Sequence, residues 1–112
     1  MDLSIEVTQQ AEKEVSIALS GEIDVYTAQK LRDSLLPLTL DAGTNIKVDL
    51  KHVTYMDSTG LGIFINVLKS AKENNSSLQL VNLQKRVYRL FSITGLDQVI
   101  DISALSQEVN EQ

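Results

Sequence analysis

Two stretches of this sequence gather side chains suited to chemistry. Asp57-Ser58-Thr59-Gly60-Leu61-Gly62 sets a carboxylate, two hydroxyls and two glycines side by side. The second is Glu22-Ile23-Asp24, just after Gly21. The first follows an apolar run, Ile46 to Met56, that reads as a strand, and precedes Leu61 to Ala71, which reads as a helix. A strand–turn–helix junction leaves its residues at an edge, beside the free N–H groups of the helix's first turn. Ser58 suits the N-cap of that helix, and its blandest role is only that. Gly60 and Gly62 let another surface approach the backbone. Glu22, Asp24 and Asp57 converge at one edge if the two junctions are neighbours.

Each enzymatic use of these groups lacks a part. A nucleophilic Ser58 needs a base. His52 is the sole histidine. It lies six positions earlier, about 20 Å away along an extended strand. The nucleophile elbow needs glycine two before the serine, where this chain has Met56. The two glycines fit neither the P-loop nor the dinucleotide fingerprint, and no lysine follows at once. A metal site at Glu22, Asp24 and Asp57 needs further oxygen ligands. No metal or other cofactor is therefore expected. A small nucleotide-binding or hydrolytic domain using the Asp57–Gly62 loop stays as the alternative. A protein-docking surface uses the same residues better, offering hydroxyls and carboxylates to basic groups on a partner.

The elements that must position these loops read as one α/β domain. Leu3, Ile5 and Val7 alternate with polar residues, as do Val15, Ile17 and Leu19. The polar Gln9–Glu14 between them predicts an antiparallel hairpin. Gly21 breaks the second strand. Ala28, Leu31, Leu35 and Leu38 have helical spacing, with Thr27 or Asp24 as N-cap and Pro37 expected to end or bend the helix. Ile46, Val48 and Leu50 mark a central strand, which Val53 and Met56 extend. Leu61, Phe64, Ile65, Leu68 and Ala71 form one helical stripe. Ile63 and Val67 fall off it, into a broader core or onto a partner-facing patch. Asn74–Ser77 is turn chemistry, and Leu78, Leu80 and Leu83 make another strand. Strand, helix, strand predicts a right-handed parallel crossover. Val87, Leu90 and Phe91 predict a short helix closed by Gly95, and Val99, Ile100 and Ile102 a last strand. Ser103–Gln112 is a polar end. The expected architecture is a mixed β-sheet with an N-terminal hairpin and flanking α-helices. In open α/β sheets sites lie beyond the carboxyl ends of parallel strands, where Asp57–Gly62 sits.

Composition narrows the partners. Hydrophobic residues are 43% of the 112, enough for a core. The net charge of -5 disfavours nucleic acid and anionic membrane, and leaves room for a basic protein partner. The absence of cysteine excludes disulfides, thiolate zinc sites and thiol nucleophiles. No apolar run reaches spanning length, and the N-terminus lacks a signal-peptide pattern, so a cytoplasmic protein is expected.

Three motifs together resemble a known family. They are Gly21-Glu22-Ile23-Asp24-Val25-Tyr26, Tyr55-Met56-Asp57-Ser58-Thr59-Gly60-Leu61-Gly62 and Arg89-Leu90-Phe91-Ser92-Ile93-Thr94-Gly95-Leu96. They look like those of the bacterial anti-sigma factor antagonists, which are single-domain STAS proteins. The resemblance runs from Leu3 to about Ser103, implying one STAS-like domain over 1–112 with a polar tail from about 104. Among family members it resembles the antagonist acting on the stress-response sigma factor, sigma-B. It implies a regulator rather than an enzyme. The unmodified form would bind an anti-sigma factor that is also a serine kinase, freeing the sigma factor. Phosphorylation at Ser58 would abolish binding, with Thr59 as a minor acceptor, and a serine phosphatase would restore it. The implied partner-binding residues are Glu22, Asp24, Asp57, Ser58, Thr59, Gly60, Leu61 and Gly62.

Overall fold

The structure is a computed structural model that describes residues 2–105. Its elements are β1 (Leu3–Ala11), β2 (Glu14–Ile23), α1 (Ala28–Leu35), a 3-10 segment (Leu36–Leu40), β3 (Asn45–Met56), α2 (Ser58–Glu73), β4 (Ser77–Leu83), α3 (Lys85–Ile93), a short 3-10 turn (Leu96–Gln98) and β5 (Asp101–Ala104). The five strands form one mixed sheet in the order β1-β2-β3-β4-β5. β1 and β2 make the expected antiparallel hairpin, while β2–β3, β3–β4 and β4–β5 are parallel.

One face of the sheet is covered and the other is open. Val15, Ile17 and Leu19 of β2, Ile46, Val48 and Leu50 of β3, and Leu78 and Leu80 of β4 are buried. Their alternates Ala18, Ser20, Lys47 and Gln79 are exposed. That period of two is what a half-buried sheet requires. Phe64 of α2 and Phe91 of α3 meet over the covered face, with ring centroids 6.0 Å apart and both side chains fully buried.

Several local expectations change in detail. Gly21 does not end β2. The strand continues to Ile23, and Gly21 sits inside it at φ +122°. Pro37 does stop α1, but the chain tightens into the 3-10 segment instead of leaving the helical path. The buried side of α2 is Gly60, Leu61, Ile63, Phe64, Val67 and Ala71. Ile63 and Val67 are therefore core residues, whereas Ile65, expected on the stripe, is exposed. The last strand starts at Asp101, and Val99 lies before it, 52% exposed. Ser103 and Ala104, expected in the polar end, belong to that strand, the N–H of Leu105 donates to the Leu83 carbonyl at 2.8 Å, and 106–112 lie outside the described residues. Gly95 closes α3 as expected, at φ +79° with its N–H on the carbonyl of Ser92.

β3 also carries two bulges against β2. Ala18 pairs with Asp49 but Ser20 with His52, and Gly21 pairs with Val53 but Glu22 with Tyr55. Each step inserts an extra residue in β3. The buried positions accordingly shift from the even series ending at Leu50 to Val53 and then Met56. At the opposite end of the sheet, Lys13 in the hairpin turn donates to Asp41 at 2.8 Å. That hydrogen bond, and then the ammonium charge, hold the Asp41 carboxyl below its ordinary pKa. Both groups are exposed, so the pair adds little to stability.

Gly21 answers to its neighbours as well as to its own backbone. A Cβ there would collide with the carbonyl oxygen of Asp2, which also accepts from the N–H of Glu22 at 2.9 Å. Gly21→Ala should lower the stability of the domain by about 1–3 kcal/mol. Urea unfolding checks this, and a midpoint equal to wild type would contradict the placement.

Candidate functional site

The two chemically interesting loops are neighbours because their strands are. Ile23 at the end of β2 pairs with Met56 at the end of β3, and Glu22 pairs with Tyr55. Adjacent strands lie about 4.8 Å apart, so the chain leaves the sheet twice at nearly one point. Asp24–Thr27 leads into α1 and Asp57 into α2.

Asp57, not Ser58, caps α2. Its backbone is extended and its carboxylate accepts from the Thr59 N–H at 2.9 Å. Its carbonyl accepts from the N–H of Gly60 at 3.0 Å and of Leu61 at 3.3 Å. Asp and Ser are about equally good caps, so composition alone does not choose between adjacent residues. The shift of one position puts Ser58 inside the first helical turn, with its side chain exposed.

The Asp24 loop is closed on itself. The Asp24 carboxylate accepts from the N–H of Tyr26 at 2.9 Å and of Thr27 at 3.1 Å. The Thr27 hydroxyl accepts from the Asp24 N–H at 3.0 Å and donates to the Glu22 carbonyl at 2.9 Å. Both side chains are buried. Expected to face a partner, Asp24 instead holds its own turn through its carboxylate. Removing it would leave the Tyr26 N–H without its acceptor and the Thr27 N–H with only the Asp24 carbonyl, at 3.2 Å, a loss of about 1–3 kcal/mol. Asp24→Ala would therefore disturb the loop as well as any contact made through it.

The glycines divide in the same way. Gly60 is buried, and a Cβ there would lie 2.5 Å from Met56 Cγ, 2.7 Å from Met56 Sδ and 2.8 Å from Ile23 Cγ2. Its missing side chain lets α2 press onto the paired ends of β2 and β3, so the close approach expected from outside comes from within. Gly62 has nothing within 4 Å of a built Cβ and faces open space. Leu61 is in the core. Among the expected site residues, Ser58 is exposed, Glu22, Asp57, Thr59 and Gly62 are half-buried, and Asp24, Gly60 and Leu61 are buried.

The surface at these strand ends also exposes Val25 at 66% and Tyr26 at 84%, with Tyr55 less so at 44%, none of them among the expected site residues. The signal for the first two was present in sequence. Val25 and Tyr26 have large, mainly apolar side chains, come just after Asp24, and fall outside the Ala28–Leu31–Leu35 helical pattern.

An enzymatic reading gains no support from this geometry. His52 stays within β3, opposite Ser20, and Ser58 begins the next element. Among the described residues, no cluster of three or more His, Asp or Glu is arranged to hold a metal ion. A polar depression lined by residues such as Glu14, Asn45, Lys47 and Asp101 lies at the other end of the sheet and shares nothing with Asp57–Gly62. Among the described residues, no helix is long and apolar enough to cross a membrane.

Comparison with known proteins agrees with the motifs. A family model described as "Mlab, STAS domain" matches residues 6–105. The anti-sigma-B factor antagonist of Bacillus subtilis strain 168 is 47% identical over 107 residues, spanning 96% of either chain. The chain belongs to the STAS family of anti-sigma factor antagonists. Solved structures share the STAS fold at low identity. An anti-sigma factor antagonist from Mycobacterium paratuberculosis superposes with a TM-score of 0.80 at 21% identity, over 96% of this chain and 90% of that one. The Bacillus cell fate determinant SpoIIAA, solved in its phosphorylated form, gives 0.71 at 16%, over 96% and 98%.

The cap assignment is testable on the STAS domain alone. Asp57→Ala should destabilise it by about 1 kcal/mol. Ser58→Ala, an exposed change away from the cap, should stay within about 0.5 kcal/mol of wild type. Thermal melts of the two variants side by side decide it, and the reverse order would return the cap to Ser58.

Proposed function

We propose that this STAS chain is an anti-sigma factor antagonist of the sigma-B type and works by partner switching in the cytoplasm. Unmodified, it binds an anti-sigma factor that is also a serine kinase, and the sigma factor goes free. The kinase spends ATP to phosphorylate Ser58, the complex dissociates, and a serine phosphatase resets the chain. The protein is the substrate of those enzymes and not itself an enzyme. The observation that carries the proposal is Ser58, exposed in the first turn of α2 at a strand end paired with the one that leads into the Asp24–Thr27 loop, in a chain nearly half identical to an anti-sigma-B factor antagonist.

Electrostatics explains how one group could switch binding without unfolding the domain. A phosphate on Ser58 adds about -1.5 to -2 charge at pH 7. At a helix N-terminus that charge is tolerated and stabilises by roughly 0.3–1 kcal/mol. Asp57 already supplies the cap, so the fold does not need the hydroxyl. Against a docked partner the phosphate adds bulk and joins the charges of Asp57 and Glu22. Disrupting a buried charged contact costs about 2–5 kcal/mol, roughly 30-fold or more in affinity. Ser58 is the favoured acceptor over Thr59 because Thr59 is half-buried and its backbone is tied to Asp57.

Two variants test the switch. Ser58→Ala should bind the kinase and resist phosphorylation. Ser58→Asp should fold and bind about 30-fold or more weakly. Calorimetric titration read beside thermal melts separates the causes. Tight binding by a well-folded Ser58→Asp would refute charge as the switch.

A further inference from the structure

We infer that Val25 and Tyr26 form an apolar anchor beside Ser58 that fills a basic-rimmed apolar pocket on the anti-sigma factor, with Tyr26 the main determinant of affinity. The inference rests on the antagonist function proposed above. Single exposed apolar residues are ordinary and need no explanation. This pair is different in three respects.

First, the two residues are adjacent and are 66% and 84% exposed, and neither contributes to the α1 face buried by Ala28, Leu31 and Leu35. The fold leaves most of their apolar surface uncovered. Second, their backbone is fixed. The Asp24 carboxylate takes the N–H of Tyr26 itself and that of Thr27, and the Thr27 hydroxyl ties the turn to Glu22. A ring on a pinned backbone loses little freedom on docking, and tyrosine is among the residues that dominate interface energies. Third, the anchor is next to the switch. Tyr26 is three residues past Ile23, and Ser58 two past Met56, the pair that ends β2 and β3 together.

Charge around the anchor selects the occupant. Glu22 and Asp57, both half-buried, flank the two loops. A partner seated on Tyr26 meets these carboxylates at its rim, so a basic rim complements them and an acidic one is repelled. The same arrangement gives the switch its leverage. Seating the ring would bring the partner surface down over the Ser58 hydroxyl, the place where a phosphate would stand.

The test uses the full chain and its purified anti-sigma factor kinase in calorimetry, with thermal melts on every variant and binding read below all melting points. Tyr26→Ala should melt with wild type and bind about 30-fold or more weakly. Tyr26→Phe, which keeps the ring, should stay within about threefold of wild type, well short of a hot-spot loss. The anchor is overturned if Tyr26→Ala binds within threefold while Ser58→Asp fails to bind, an outcome that leaves the antagonist function standing. No heat from the wild-type chain would remove both. Sedimentation of the chain alone covers the remaining occupant. A dimer that Tyr26→Ala dissociates would assign the patch to a second copy and overturn the inference.

Discussion

The parallel pairing of Ile23 with Met56 is the constraint on which the site depends. It ends two strands at one level of the sheet, so the Asp24 and Asp57 loops emerge side by side. Gly60 then seals the arrangement from above. With hydrogen in place of a side chain, the first turn of α2 rests on Ile23 and Met56 at distances that any larger residue would fill. The two bulges in β3 serve the same end. They absorb two residues between Asp49 and Tyr55 and bring Met56 into step with Ile23.

Around that contact, the residues that look most reactive are largely occupied with structure. Asp57 caps a helix, Asp24 and Thr27 close a turn, and Gly60 packs inward. What they leave at the surface is small: the Ser58 side chain, the open backbone at Gly62, and the exposed Val25 and Tyr26. A rigid support under a few presented groups is what a reversible docking surface needs, since little ordering is left to be done on binding.

Much of this was legible in the sequence. Alternation showed the strands most clearly in β2 and in Ile46–Leu50 of β3, where one open face keeps the period of two; past Leu50 the two bulges break it. Helical spacing after Gly60 and the parallel crossover were equally readable. The rest depended on tertiary facts. Asp57 and Ser58 are both good caps, and only backbone geometry separates them. Gly60 and Gly62 read alike in sequence, yet one faces Met56 and the other open space. The α2 stripe was misplaced because Ile65 is apolar and exposed, while Val67 is apolar and buried on a neighbouring track. Asp24 read as a helix cap or a partner-facing acid, because only the folded turn shows its carboxylate accepting from the N–H groups of Tyr26 and Thr27.

Under the proposed switch, modification at Ser58 changes what the surface can bind and leaves the scaffold as it was. The most direct measurement compares amide nuclear magnetic resonance spectra of the unmodified and Ser58-phosphorylated chain, with a thermal melt of each. The account predicts shifts confined to residues near 22–27 and 55–62, with the core amides of β3 and β4 unmoved and the melting temperature unchanged or slightly raised. Shifts spread through the core around Phe64 and Phe91, or a clear fall in melting temperature, would contradict it.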